Sequence, residues 1–255
     1  MGVLSDRRTI DIFDRADIAQ SAEALRDYAA ELGPLSVATC ANIARTEPMR
    51  DDEGRILSES VFGWCSKRHK WWLDHSLALV CPVTQAVRYE SEPFVCRRGE
   101  FRTWHANPYL EAIDATKLEE VSGVKAAICT PVHMPFGVIG AVTWATQDAD
   151  LDIDAIFDTH AEEMSLIARR FINGYARVMN GRALIPEGCR LTKREIQCLR
   201  WAAYGKTDQE ISMIMSRSPA TIRFHIKNAA LKLDTVNRSQ TIYKAAQLGY
   251  LSAVS

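Results

Sequence analysis

Between Thr192 and Pro219 the chain carries three helix starts in succession, spaced so closely that almost no room is left for loops. Thr192-Lys193-Arg194-Glu195 and Thr207-Asp208-Gln209-Glu210 are capping boxes, in which the Thr hydroxyl and the Glu carboxylate satisfy free N–H groups of the first turn. Ser218-Pro219 is the third start, with Ser as N-cap and Pro, which has no N–H to lose, at the first helical position. The first helix carries Ile196, Leu199, Arg200 and Ala203 and stops at Gly205. The second carries Ile211, Ile214 and Met215, and the third runs from Ala220 to Leu233. Only Ser216-Arg217 separates the second helix from the third cap, which forces a sharp turn.

Two short helices joined by a tight turn, the second one basic, is how a helix-turn-helix reads in sequence. In the third helix Ile222, Ile226, Ala229, Ala230 and Leu233 form the apolar stripe. Arg223 and Lys227, four apart, share an exposed face from which long donors reach guanine edges and phosphates. Charge supports a separate module here. Residues 186–255 hold 11 Lys and Arg against 5 Asp and Glu, a net of +6, and the remainder carries −7 within a whole-chain charge of −1. A basic tail on an acidic body suits a polyanion-binding module attached to a domain with another task. Gly181 to Gly188, with two Gly and Pro186, reads as a linker. The expected organisation is a domain over 1–180, a linker over 181–190 and the helical module over 191–255.

The 255 residues, 47% apolar and 25% charged, are enough for one or two soluble domains, and 13 Gly and 9 Pro exclude a collagen-like or low-complexity chain. The seven Cys (40, 65, 81, 96, 129, 189 and 198) show neither CxxC spacing nor zinc-type pairing with His, so no metal or cofactor is expected. Scattered thiols and an N-terminus without a basic head and apolar core point to the cytoplasm. Ala126 to Ala145 lacks Asp, Glu, Lys and Arg over a length that spans a bilayer, yet it contains Pro131, Pro135 and Gly137. It reads as two buried strands around a Met134-Pro135-Phe136-Gly137 turn, with no membrane partner.

In the larger domain, residues 17–32 read as an amphipathic helix stopped by Gly33-Pro34, and Leu35 to Ala44 as a strand. Ser58 to about Leu73 reads as a helix that lines up Trp64, Arg68 and Trp72 on one face. Phe94 to Thr103 is a strand, Ala112 to Glu120 a helix, and Asp152 to Asn180 a long amphipathic helix. The expected fold is α+β: an α/β/α sandwich around an antiparallel sheet, followed by an all-α helix-turn-helix domain of four helices.

The run from Leu191 to Leu251 resembles the DNA-binding domain of LuxR-type transcription regulators. The marks are Leu191-Thr192-x-x-Glu195, Leu199, Gly205-Lys206-Thr207, Glu210-Ile211, Thr221-x-x-x-His225, Lys232-Leu233 and Asn237-Arg238. The resemblance implies a fourth helix at about Arg238 to Leu248, a homodimer on an inverted-repeat operator in duplex DNA, and phosphate contacts around Lys206, Thr207 and Ser218. It also implies base contacts from Arg223 and Lys227, with Thr221 beside them. The larger domain resembles the autoinducer-binding domain of the same receptors through Pro82-Val83 with Phe94 beyond, Gly123-Val124, Thr130-Pro131-Val132, the Gly137 turn and Thr143. That family buries an acyl-homoserine lactone between the sheet and a helical layer.

This chain departs from the family at the polar anchors of that pocket. Cys81 stands where the family has an Asp that accepts the ligand amide, Arg68 where it has a Trp that holds the lactone carbonyl, and Cys96 where it has a second Trp. A thiol does not replace a carboxylate acceptor, and losing such a charged hydrogen bond costs roughly 1.5–3 kcal/mol. The expected ligand is therefore a small aromatic-containing molecule, with Trp64, Arg68, Trp72, Cys81, Cys96, Trp104 and Thr143 as pocket residues and Trp144, Tyr89 and Tyr109 adding aromatic surface. The alternatives are an ordinary homoserine-lactone receptor, a redox regulator working through Cys81 and Cys96, and a ligand-independent partner in mixed dimers. An enzyme is not expected: His69, Asp74 and His75 come with no nucleophile motif, phosphate loop or metal spacing.

Overall fold

The computed structural model describes residues 10–45, 47–64, 79–179 and 190–251. They form two compact units, the first holding residues 10–134 and 138–179 of those described and the second those from Arg190 onward. The stretch expected as a linker, 181–190, lies outside the described residues except for Arg190.

In the first unit, helix α1 (Asp17–Leu32) is anchored by the Asp17 carboxylate, which accepts the N–H groups of Phe13 and Asp14 at 2.8 and 3.0 Å. It buries Ile18, Ala22, Leu25 and Ala29 on one side, as its period requires. Five antiparallel strands, β1 (Ser36–Cys40), β2 (Phe94–Arg97), β3 (Glu100–Arg102), β4 (Ala126–Met134) and β5 (Val138–Thr146), make one sheet in the order β1-β5-β4-β2-β3. β4 and β5 are the two strands expected over 126–145, joined through Pro135-Phe136-Gly137. The register sets Ala127 opposite Ala145, Cys129 opposite Thr143 and Ile128 opposite Trp144. β1 adds Cys40 opposite Ala141 and Ala38 opposite Thr143.

Each face of the sheet carries its own core. On one side lie α1 and the long helix α5 (Ile153–Met179), with Leu25, Ile128, Trp144, Phe157, Met164 and Phe171 fully buried among them. On the other lie α3 (Pro82–Ala86), two 3-10 turns (Leu110–Ala112 and Ala115–Lys117) and α4 (Leu118–Ser122), covering Val83, Phe94, Leu110, Leu118 and Cys129. The result is the expected three-layer α/β/α arrangement.

Local boundaries differ where side chains compete with the regular element. At the start of the helix expected over Ser58 to about Leu73, α2 (Leu57–Ser60) ends before Gly63 at φ +55°, so Trp64 does not continue it; residues 65–73 lie outside the described ones. Arg68 and Trp72 lie outside the described residues. The single strand expected over Phe94–Thr103 is a hairpin, turned by Arg98 and Gly99 at φ +49° and +80°, the two-residue geometry that matches sheet twist. The helix expected over Ala112–Glu120 is interrupted at Ile113, where Asp114 caps a new turn by accepting the Thr116 N–H at 3.2 Å. β1 stops at Cys40, ahead of an Asn42 side chain that accepts the Ala44 N–H at 2.9 Å.

The second unit contains α6 (Lys193–Ala203), α7 (Asp208–Met215), α8 (Pro219–Lys232) and α9 (Arg238–Gln247). Both capping boxes form, and Ser218 caps α8 by accepting the Thr221 N–H at 3.1 Å. Cys198, Leu199, Ile211, Ile222, Ala229 and Leu233 fill its interior. The tight turn between α7 and α8 is made by Ser216 in the left-handed region at φ +50°, with the Arg217 N–H returning to the Ser212 carbonyl at 3.0 Å.

Candidate ligand cavity and nucleic-acid interface

Above the sheet face opposite α1 and α5 lies a cavity of about 100 Å³. Its floor is the inward-facing set of β1, β5 and β4: Ala38, Cys40, Ala127, Ala141, Thr143 and Ala145. Four of these are Ala, so the floor is shallow and flat. Val83, Thr84 and Val87 of the α3 segment and Leu118, Val121, Ser122 and Val124 form walls, with Ile43, Cys81 and Trp64 completing the lining. Arg45 is the only formally charged side chain among the described lining residues, and it is paired with Glu47 at 3.7 Å. No carboxylate is among them.

The polar inventory is short. Thr143 donates to the Cys129 sulfur at 3.4 Å, and Ser122 donates to the Leu118 carbonyl at 2.6 Å. Among the described residues the buried Trp64 indole Nε1 has no hydrogen-bond partner, a state it shares with Thr39 Oγ1, also of the lining, and with Trp144 Nε1 in the opposite layer. A buried N–H left in this state costs free energy that an acceptor brought by a bound molecule recovers.

The expected pocket residues divide accordingly. Trp64, Cys81 and Thr143 line the cavity. Cys96 is buried in the same layer, facing as Ala127 does, without lining it. Trp104 lies elsewhere: past the end of β3 its ring tilts against Phe157 of α5 at 6.0 Å, and it is half exposed. Trp144 neighbours Thr143 in a pleated strand and therefore faces the α1/α5 layer, where it is fully buried. Tyr89 and Tyr109 stack on each other at the surface, 5.8 Å apart. Of the expected aromatic lining, Trp64 alone is at the cavity among the described residues.

The four thiols of this layer, Cys40, Cys81, Cys96 and Cys129, are free. Burial pushes Cys40 up to about 11, and burial with the neighbouring Cys81 pushes Cys96 up to about 12. Burial likewise raises Cys129 to about 12. Thiols raised in this way are poor nucleophiles at neutral pH.

In the helical unit, α8 presents Arg223 and Lys227 to solvent. Thr221 and Ser218 share a hydroxyl hydrogen bond of 2.9 Å at its N-terminus. Thr207 caps α7, and Lys206 just before it reaches Glu210 at 3.6 Å while staying half exposed. Two long-range pairs hold these helix starts in place. Lys232, the last residue of α8, meets Glu195 of α6 at 2.8 and 2.9 Å, and Arg238 of α9 meets Asp208 and the Lys206 carbonyl. Neither pair has a local sequence signal, although Lys232 and Arg238 stand among the marks of the resemblance.

Residues 17–174 match the model of the autoinducer binding domain, and residues 190–245 match that of bacterial regulatory proteins of the luxR family. The chain belongs to the LuxR family. The transcriptional activator LuxR of Aliivibrio fischeri ES114 is 31% identical over 186 residues, which cover 73% of this chain and 72% of that protein. The quorum sensing-dependent regulator RpaR of Rhodopseudomonas palustris is 30% identical over 74% and 73%. The match to the activator VanR of Vibrio anguillarum, at 37%, spans about half of each chain. Among solved structures, Escherichia coli SdiA aligns over 95% of this chain and 94% of its own, with a TM-score of 0.50 and 19% identity, a likeness of fold. This LuxR-family chain is thus a quorum-sensing-related transcription regulator, with an autoinducer-binding domain and a DNA-binding helix-turn-helix. Among the described residues no helix is long and apolar enough to cross a membrane.

Proposed function

We propose that this LuxR-family regulator is a cytoplasmic homodimer that binds an inverted-repeat operator in response to a small molecule other than an ordinary acyl-homoserine lactone. Residues 1–180 act as the sensor, 181–190 as the linker and 191–255 as the DNA-binding domain. The ligand is a compact molecule with an aromatic ring and at least one acceptor.

The observation that carries the ligand reading is the unpartnered Trp64 Nε1 at a cavity whose described lining holds no carboxylate. A ligand carbonyl, ether or phenol oxygen satisfies that donor. A homoserine-lactone amide, by contrast, meets a thiol at Cys81 where the family supplies an anion. The flat floor of Ala38, Ala127, Ala141 and Ala145 suits a planar ring. On the DNA side, Arg223 and Lys227 reach base edges, while Lys206, Thr207, Ser218 and Thr221 hold phosphates.

The test is a thermal-shift series on the full chain with acetophenone, substituted phenols, aryl acids and N-acyl-homoserine lactones of four to twelve carbons. A ligand at about a hundred times its Kd adds about 2.7 kcal/mol, several degrees for a chain of this size. A shift with aromatics and none with lactones is the expected result. A shift confined to lactones overturns the ligand class.

A further inference from the structure

We propose that Phe224 reads sequence: its ring contacts the 5-methyl group of a thymine beside the base pair that Arg223 contacts. This rests on the reading of α8 as the helix that enters the major groove. The exposed face of α8 is made of Ala220, Arg223, Phe224, Lys227 and Leu231: Arg223 and Phe224 are adjacent, and each lies three or four residues from Ala220 and from Lys227. Phe224 is in the middle of this face and is 60% exposed, while Ile222 and Ile226 on the opposite side are buried. Its only ring contact among the described residues is the edge of the adjacent His225 at 5.7 Å.

An exposed phenyl group between two cations does nothing for phosphate binding, because it has neither charge nor donor. Against base edges it has one good partner. The major groove presents donors and acceptors from every base, and the thymine methyl is its apolar group. Phe224 is in the N-terminal half of α8, the half that reaches base edges in this type of docking. Arg223 beside it selects guanine through O6 and N7. The pair therefore specifies a guanine next to a thymine in each half-site.

Substituting deoxyuridine for thymine removes the methyl and leaves every hydrogen-bonding atom in place. The full chain, alone and with each compound that raises its Tm, is used to select duplexes from a random library. Each thymine of the selected duplex is then replaced in turn. At one thymine per half-site, deoxyuridine weakens wild-type binding about fourfold, the worth of one buried methyl group, and about fifteenfold when both half-sites are changed. Phe224→Ala binds thymine and deoxyuridine duplexes equally. Phe224→Leu, which keeps an apolar side chain, retains most of the discrimination, and Arg223→Ala keeps it while losing preference for guanine. Full thymine discrimination by Phe224→Ala overturns the proposal. So does a Phe224→Ala protein that binds both duplexes as wild type does, or one that only loses self-association in sedimentation without DNA. If no duplex is enriched, the DNA-binding reading itself fails, an outcome distinct from a failure at Phe224.

Discussion

The Glu195–Lys232 pair ties the first turn of α6 to the last residue of α8, and its removal gives a prediction with a sign in both stability and pH. The Glu195 side chain is 4% exposed and Lys232 31%. The carboxylate receives Lys232 Nζ at 2.9 and 2.8 Å and the Thr192 N–H at 2.7 Å. Glu195→Gln keeps the size of the side chain and an acceptor for Thr192, so the change isolates the charge. Charged hydrogen bonds contribute about 1.5–3 kcal/mol and neutral ones about 0.5–1.5, so the loss is about 1–2 kcal/mol once Lys232 turns to water. In a unit this small that lowers Tm by roughly 8 °C. Burial alone raises the Glu195 carboxyl, yet the Lys232 ammonium and the Thr192 N–H outweigh it and hold it below its ordinary value. A lowered folded pKa gives stability that is present above the unfolded value, near about 4.3, and is lost as pH falls through the folded value. The wild type should therefore exceed Glu195→Gln by the full amount at pH 7, with the gap closing below about pH 4. Lys232→Met leaves a buried carboxylate unpaired and should cost more, about 3 kcal/mol. The assay is urea unfolding of residues 186–255, followed by Trp201, the one Trp in that span. A gap unchanged down to pH 3, or no gap at pH 7, would refute the reasoning.

Three further outcomes follow from the geometry. Lys206→Ala should weaken binding to all duplexes alike and flatten the salt dependence, while Arg223→Ala relaxes base preference. Equal effects in competition binding would end that division of roles. Trp64→Phe keeps aromatic bulk and removes the unpartnered donor, so it should abolish most of the thermal shift with acetophenone and leave the unliganded Tm within a degree or two; an undiminished shift moves the donor elsewhere. Gly140→Ala sets a new methyl 2.6 Å from Ile172 and 2.8 Å from the Cys40 carbonyl, and should cost about 1–3 kcal/mol in calorimetry of the first unit, a neutral result showing that the α5–sheet contact is looser than described.

Legibility in the sequence follows the range of the interaction. Three helices of the second unit are legible almost to the residue, because Thr192, Thr207 and Ser218 each announce a helix through a bond to the third residue on; the fourth was expected from the resemblance, and Asn237 caps it in the same way. The sheet's β4–β5 pair was readable from two apolar runs and a Pro-Gly turn. Breaks made by single residues were missed, at Gly63, Arg98-Gly99 and Asp114, because each overrides an otherwise regular pattern.

The cavity was the least legible part, and the reasons are separable. Trp144 was excludable in advance: with Thr143 facing the cavity, a period of two turns its neighbour to the opposite layer. Trp104 was not, because its position depends on where the Arg98-Gly99 turn sends β3. The orphaned Trp64 N–H is harder still, since a missing partner is a property of the whole surrounding shell. Yet that donor and the thiol at Cys81 argue for the same ligand chemistry from independent directions. The residue change removes an anion that would hold an amide, and the packing leaves a donor that calls for an acceptor. A ligand that satisfies both is one that accepts hydrogen bonds at its polar end and has no need to donate them.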